Sequence, residues 1–226
     1  MTLRTFVVFD LDGTLCDTRG DIADAVNFGL AAQGLPPTGS EVITGFVGDG
    51  VGRLVDRVVE HVGGPLSLAP EVARALLAYY RDHPVVHTRP YPEVTRTLAT
   101  LVDLTGRGLA LASNKPTDLC EVILSHFGWR SMFSAVLGAD WGGPRKPAPD
   151  VLWRLASLLG QPPEAGVMVG DSLMDLAAGR AAGLATVAAL YGYRPPEELL
   201  AAKPDAAIEA PAELPAAFEA IRSARR

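Results

Sequence analysis

The stretch VVFDLDGTLCDT, Val7–Thr18, decides how the rest of the chain is read. An apolar run, Thr5–Phe9, leads straight into Asp10; one residue on comes Asp12, and then Gly13. A short run with no polar face fits a strand covered on both sides, as in a parallel sheet. Two carboxylates at its tip repel each other, by roughly 3 kcal/mol at about 6 Å and an effective dielectric of about 20. A nearby positive species is what makes the arrangement sustainable.

Further apolar runs lie at Leu109–Ala112, Val167–Val169 and Ala185–Leu190, with a weaker one at Ala135–Leu137. Helix-length segments lie between most of them. Leu119, Val122, Ile123 and Phe127 make one apolar face; Val151, Leu152, Leu155, Leu158 and Leu159 make another. Alternating strands and helices predict an α/β fold, a Rossmann-like parallel sheet with helices on both faces. Residues 17–88 break the rhythm. They predict helices over 21–32, 41–46, 51–62 and 71–80, punctuated by GLPPTG, VGDG and VGGP, and hold no convincing strand. The reading is a core of residues 1–16 and 89–226, with an all-helical insertion over 17–88 expected to cover the end of the first strand.

Composition excludes several classes. The 226 residues carry a formal net charge of −6 and no long basic run, which argues against a nucleic-acid partner. Two cysteines, Cys16 and Cys120, stand in no metal-ligand spacing, so neither a zinc site nor a disulfide scaffold is expected. No segment has membrane-span length, and the start lacks a secretory pattern. The expectation is a cytoplasmic protein with no membrane partner. A monomer and a homodimer are both compatible with the chain.

Open parallel sheets bind ligands at the carboxyl ends of their strands, so the residues just past each run matter most. After the first come Asp10, Asp12, Gly13 and Thr14; after the second Ser113, Asn114 and Lys115; after the weaker run Arg145 and Lys146; after the run at 167–169 Asp171, Ser172 and Asp175. Each has an ordinary alternative. Asp12-Gly13 suits a turn, Ser113 and Asn114 suit a loop or helix cap, and Asp171 suits a helix start. Lys146 suits a solvated loop. Thr117 reads as a cap and Asp150 as a first-turn acid. Together, however, they collect acids, a hydroxyl and a cation at one sheet edge. Asp10, Asp12 and Asp171 are oxygen donors without His or Cys, which points to Mg²⁺. Ser113 and Lys146 then face a second anion, and a phosphoryl group satisfies both sides.

Four segments, FDLDGTLCDT (9–18), ASNKP (112–116), RKPAPD (145–150) and GDSLMD (170–175), resemble the four motifs of the haloacid-dehalogenase-like phosphohydrolase superfamily. GFVGDGVGRLV (45–55) and RPYPEV (89–94) resemble the subfamily with a small helical cap that includes phosphoglycolate phosphatases. Those enzymes often carry Gly where this chain has Glu93. The resemblance implies that Asp10 attacks phosphorus to give an aspartyl-phosphate, while Asp12 protonates the leaving oxygen and later activates water. It implies Mg²⁺ held by Asp10, the Asp12 carbonyl and Asp171, with Asp175 either a further ligand or a support behind it. Ser113 would donate to the phosphoryl group and Lys146 balance its charge, with Gly13, Thr14 and Asn114 helping to bind phosphate.

Related dehalogenases lack the acid at the position of Asp12. Related phosphonate hydrolases use a cap lysine, and residues 17–88 contain none. Sugar-phosphate mutases share all four motifs and stay open, as does a non-enzymatic binding protein of the same fold. The expected partner is a small phosphorylated metabolite, with 2-phosphoglycolate implied by resemblance. Gly48, Asp49 and Gly50 are the expected specificity loop. Arg53 is either a reader of a substrate carboxylate or part of a solvated helix face.

Overall fold

The computed structural model describes residues 5–225. Its elements run β1 (Phe6–Phe9), β2 (Cys16–Asp17), α1 (Arg19–Ala32), α2 (Ser40–Phe46), α3 (Val51–His61), α4 (Ala69–Asp82) and β3 (Arg89–Pro90). Then come α5 (Val94–Thr105), β4 (Leu109–Ala112), α6 (Thr117–His126), β5 (Ala135–Leu137), α7 (Asp150–Leu158) and β6 (Gly166–Gly170). The chain ends with α8 (Leu173–Ala182), β7 (Ala185–Ala189), α9 (Pro196–Ala201), β8 (Ala206–Ile208) and α10 (Leu214–Ala224). It divides into two compact units: one joins the segment up to Cys16 with the chain from Pro90 onward, the other is Asp17–Arg89.

The first unit is built on a six-stranded sheet in the order β5-β4-β1-β6-β7-β8, parallel throughout. β1 lies between β4 and β6, with Val7 opposite both Leu109 and Val167. All four of its side chains are buried, as a strand covered on both faces requires. Phe6 and Val8 pack with Ala110, Ala112 and Met168 against Leu152 and Leu155 of α7 and Ala178 of α8. Each fully buried Leu in such a layer contributes roughly 1.5–3 kcal/mol. The chain steps from β1 outward to β4 and β5, then returns to the other side of β1 for β6. That reversal opens a crevice at the carboxyl ends of β1 and β6. β8, Ala-Ala-Ile beside β7, is a strand the apolar pattern did not predict.

In the second unit α1 packs on α4. Gly29 lets them approach closely, since a Cβ there would press on the Val72 carbonyl. Asp21, buried at the start of α1, accepts from the amides of Val86, His87 and Thr88 and from the Thr88 hydroxyl, at 2.6–3.2 Å. Phe28, Tyr79 and His83 form a continuous ring stack on the outside of this helix pair, with centroid separations of 4.6 and 4.3 Å. No helix among the described residues is long and apolar enough to cross a membrane.

Candidate active site

Asp10 continues β1 by one residue: its amide donates to the Val169 carbonyl at 3.0 Å, which ties it to the tip of β6. Asp171 comes directly after β6. Its Oδ1 accepts from the Thr14 hydroxyl at 3.2 Å and its Oδ2 from the Tyr193 amide at 2.8 Å. Asp175 lies in the first turn of α8, where Ser172 and Asp175 form a capping box. Its Oδ2 accepts from the Ser172 amide at 3.1 Å and hydroxyl at 2.6 Å. Its Oδ1 accepts from Lys146 Nζ at 2.6 Å.

Lys146 arrives from the loop after β5 and is the hub of the cluster. Its ammonium also donates to the Ala112 carbonyl at 2.6 Å and lies 3.0 Å from Asp10 Oδ1. The Asn114 side-chain amide donates to the Lys146 carbonyl at 3.0 Å, fixing the backbone from which the lysine reaches in. Burial alone would lower the pKa of Lys146, but the Asp10 and Asp175 carboxylates outweigh it and raise the ammonium above its ordinary value. Burial pushes the Asp10 carboxyl up from 3.8 to about 6, against the pull of Lys146 and with further push from Asp175 and Asp12. Burial, then the charges of Asp175 and Asp10, also raise Asp171 well above the carboxylate range, partly offset by Tyr193 and Thr14.

Asp10, Asp171 and Asp175 each place an oxygen so that all three lie within 4.8 Å of one another. The raised carboxyl groups of Asp10 and Asp171 mark charge that the fold holds at a cost. The donors are oxygen only, so the set fits a hard divalent ion such as Mg²⁺ better than zinc. All three carboxylates could hold such an ion; Asp175 is in addition engaged by Lys146 and Ser172, and Asp171 by Thr14 and Tyr193.

In the first unit, the other expected residues follow the same strands. Gly13, at φ 78, donates its amide to the Cys16 carbonyl at 2.9 Å, and a Cβ there would overlap the Asp171 carboxylate. Gly13 and Thr14 therefore seat Asp171, a contact the sequence reading did not assign to them. Ser113 is buried, and its hydroxyl accepts from the Lys115 amide at 3.3 Å. In the second unit, Gly48 and Gly50 take positive φ on either side of Asp49, which Arg57 holds at 2.5 Å. Arg53 stands exposed in the first turn of α3.

Two features escaped the sequence reading. Lys115 Nζ pairs with Asp12 Oδ2 at 2.9 Å, and both side chains are largely withdrawn from solvent. The segment after β7, Tyr191-Gly192-Tyr193, is a fifth strand tip at the site. Tyr191 donates its hydroxyl to the Thr14 carbonyl at 3.0 Å, Tyr193 supplies the amide on Asp171, and a Cβ on Gly192 would overlap the Asp171 side chain. Inspecting the residues after the run at 185–190, as after the others, would have found it.

The haloacid dehalogenase-like hydrolase pattern matches residues 5–183. A phosphoglycolate phosphatase of Neisseria meningitidis is 40% identical over 190 residues, covering 83% of this chain and 80% of that protein. One from Aquifex aeolicus is 35% identical over 208 residues, covering 92% and 93%. A crystal structure from Haemophilus somnus 129PT, described as a predicted phosphoglycolate phosphatase, superposes with a TM-score of 0.84 at 30% identity, covering 95% of this chain and 97% of that one. With the motif order, the sheet and the acid cluster all in place, the chain belongs to the haloacid dehalogenase-like hydrolases.

Proposed function

We propose that the protein is a Mg²⁺-dependent phosphatase that hydrolyses a small phosphate monoester, 2-phosphoglycolate in the first instance, through an aspartyl-phosphate on Asp10. The observation that carries this reading is the buried grouping of Asp10, Asp171 and Asp175 around Lys146. The choice of substrate rests on the names of relatives such as the Neisseria and Aquifex phosphatases.

A carboxylate of Asp10 attacks phosphorus; the bond from phosphorus to the leaving oxygen breaks, and Asp12 gives that oxygen a proton. In the second step water attacks the aspartyl-phosphate, Asp12 takes the proton, and inorganic phosphate leaves with Asp10 restored. Lys146 balances the charge of Asp10 and fixes its direction. Ser113 and Asn114, beside it after β4, bind the phosphoryl oxygens. Mg²⁺, held by Asp10, Asp171 and the Asp12 carbonyl, would supply a Lewis acid that neutralises charge on the transferring group. Asp175 acts through Lys146 and the start of α8. The loop Gly48–Gly50 and Arg53 form the part of the second unit that selects the substrate.

Phosphate release from 4-nitrophenyl phosphate and 2-phosphoglycolate tests the reading. The wild type should lose activity in EDTA and regain it with Mg²⁺. Asp10→Asn should fold normally by circular dichroism yet turn over at background, because uncatalysed monoester hydrolysis is among the slowest of biological reactions. A wild-type rate in Asp10→Asn would refute the assignment.

A further inference from the structure

The site holds two buried lysines with different positions. The Lys146 ammonium meets Asp10, Asp175 and the Ala112 carbonyl. Lys115 instead stands against Asp12, Nζ to Oδ2 at 2.9 Å, with its side chain only 4% exposed. Burying an ammonium costs several kcal/mol before any pairing is counted. Orienting a carboxylate does not require that cost. Thr14 and the Tyr193 amide orient Asp171 with neutral donors alone. A cation at Asp12 therefore needs a reason beyond orientation.

We propose that Lys115 is a specificity-determining residue that reads a carboxylate on the leaving half of the substrate. The inference rests on the phosphatase reading. In that reading Asp12 protonates the leaving oxygen, so this oxygen comes within about 3 Å of the Asp12 carboxyl. Lys115 touches the same carboxyl. The atoms attached to the leaving oxygen thus pass within reach of the ammonium, while Lys146 lies against Asp10. In a phosphorylated 2-hydroxy acid the carboxylate is joined to the carbon that bears the leaving oxygen. It falls where a compact point charge on Lys115 meets it. A neutral alcohol half offers this lysine nothing equivalent. Specificity here is a difference in transition-state binding between two esters of one size.

The test compares 2-phosphoglycolate with 2-hydroxyethyl phosphate, which replaces the carboxylate by a neutral hydroxymethyl group, and with 4-nitrophenyl phosphate. Wild-type protein should prefer 2-phosphoglycolate over 2-hydroxyethyl phosphate by about tenfold or more in kcat/KM. Lys115→Met should raise KM for 2-phosphoglycolate by about tenfold and remove most of the preference, while Lys115→Arg, which keeps the charge, retains part of it. Equal proportional losses on both small esters in Lys115→Met would leave Lys115 with orientation of Asp12 alone and overturn the inference. Where Lys115→Met does not fold, the wild-type ratio decides: equal kcat/KM on the two small esters overturns it. Hydrolysis of 4-nitrophenyl phosphate keeps the phosphatase reading standing whatever that ratio is. A wild type that cleaves none of the three removes both.

Discussion

Lys146→Met isolates what the central lysine does for the fold. Methionine keeps the apolar stem and removes the ammonium, leaving Asp10 and Asp175 buried without their shared cation. Breaking a buried pair by removing one partner typically costs about 3–5 kcal/mol, a large part of a domain's total stability. The cost should depend on pH, with a sign set by Asp10. The folded protein holds this carboxyl at about 6 against 3.8 for the free group, so between those values the folded state binds more protons than the unfolded one. Stability contributed by Asp10 is therefore fully present below 3.8 and declines as pH rises through 6, by about 3 kcal/mol in all. Lys146 is the charge that restrains this rise. Without it the group titrates higher and the decline extends further up in pH. Urea unfolding in EDTA, so that no divalent ion masks the charges, should give a wild-type-to-variant gap that grows from pH 5 to pH 8, where it reaches about 3–5 kcal/mol. A gap below about 1 kcal/mol at pH 8, or one that does not change with pH, would refute the assignment of Lys146 as the partner of Asp10.

Gly192→Ala should drive the new methyl into Asp171 and raise the Mg²⁺ concentration needed for half-maximal thermal stabilisation by about tenfold; an unchanged titration would contradict the seating of Asp171 by this loop. Glu93 holds φ at 68, the left-handed region, directly before α5. Glu93→Gly should stabilise the protein by up to about 1 kcal/mol in urea unfolding, less what the exposed Glu93–Arg96 pair contributes. Asp21→Ala leaves three amides of residues 86–88 without their acceptor and should lower stability by about 2–4 kcal/mol, read as earlier proteolytic cleavage within residues 17–89.

The strands of the sheet centre were legible because each is a short run buried on both faces: FVVF, LALA and the GVMVG that carries the predicted 167–169 run. β8 was not. Ala-Ala-Ile at a sheet edge has neither the apolar mass nor the alternation that marks a strand, and only pairing with β7 defines it. The acids and Lys146 could be gathered on one edge because strand tips in a parallel sheet share an end. Who bonds to whom could not be read. The Lys115–Asp12 pair joins residues 103 positions apart, and Thr14 meets Asp171 across 157. That Gly13 and Thr14 also meet Asp171, a carboxylate that follows the neighbouring strand β6, could not be read from their place just after Asp10 and Asp12. Glu93 gave no sign of its backbone strain in composition; a positive φ there is a conformation that glycine adopts without cost.

Asp175 serves two masters with one carboxylate: one oxygen starts α8, the other anchors the lysine beside Asp10. Loss of Asp10 or Asp12 would in turn leave a buried ammonium short of a carboxylate, Lys146 in the first case and Lys115 in the second, so no member of this acid–base cluster is structurally silent. The Asp175–Lys146 couple is therefore a joint between a helix start and a sheet edge as much as it is part of the candidate site.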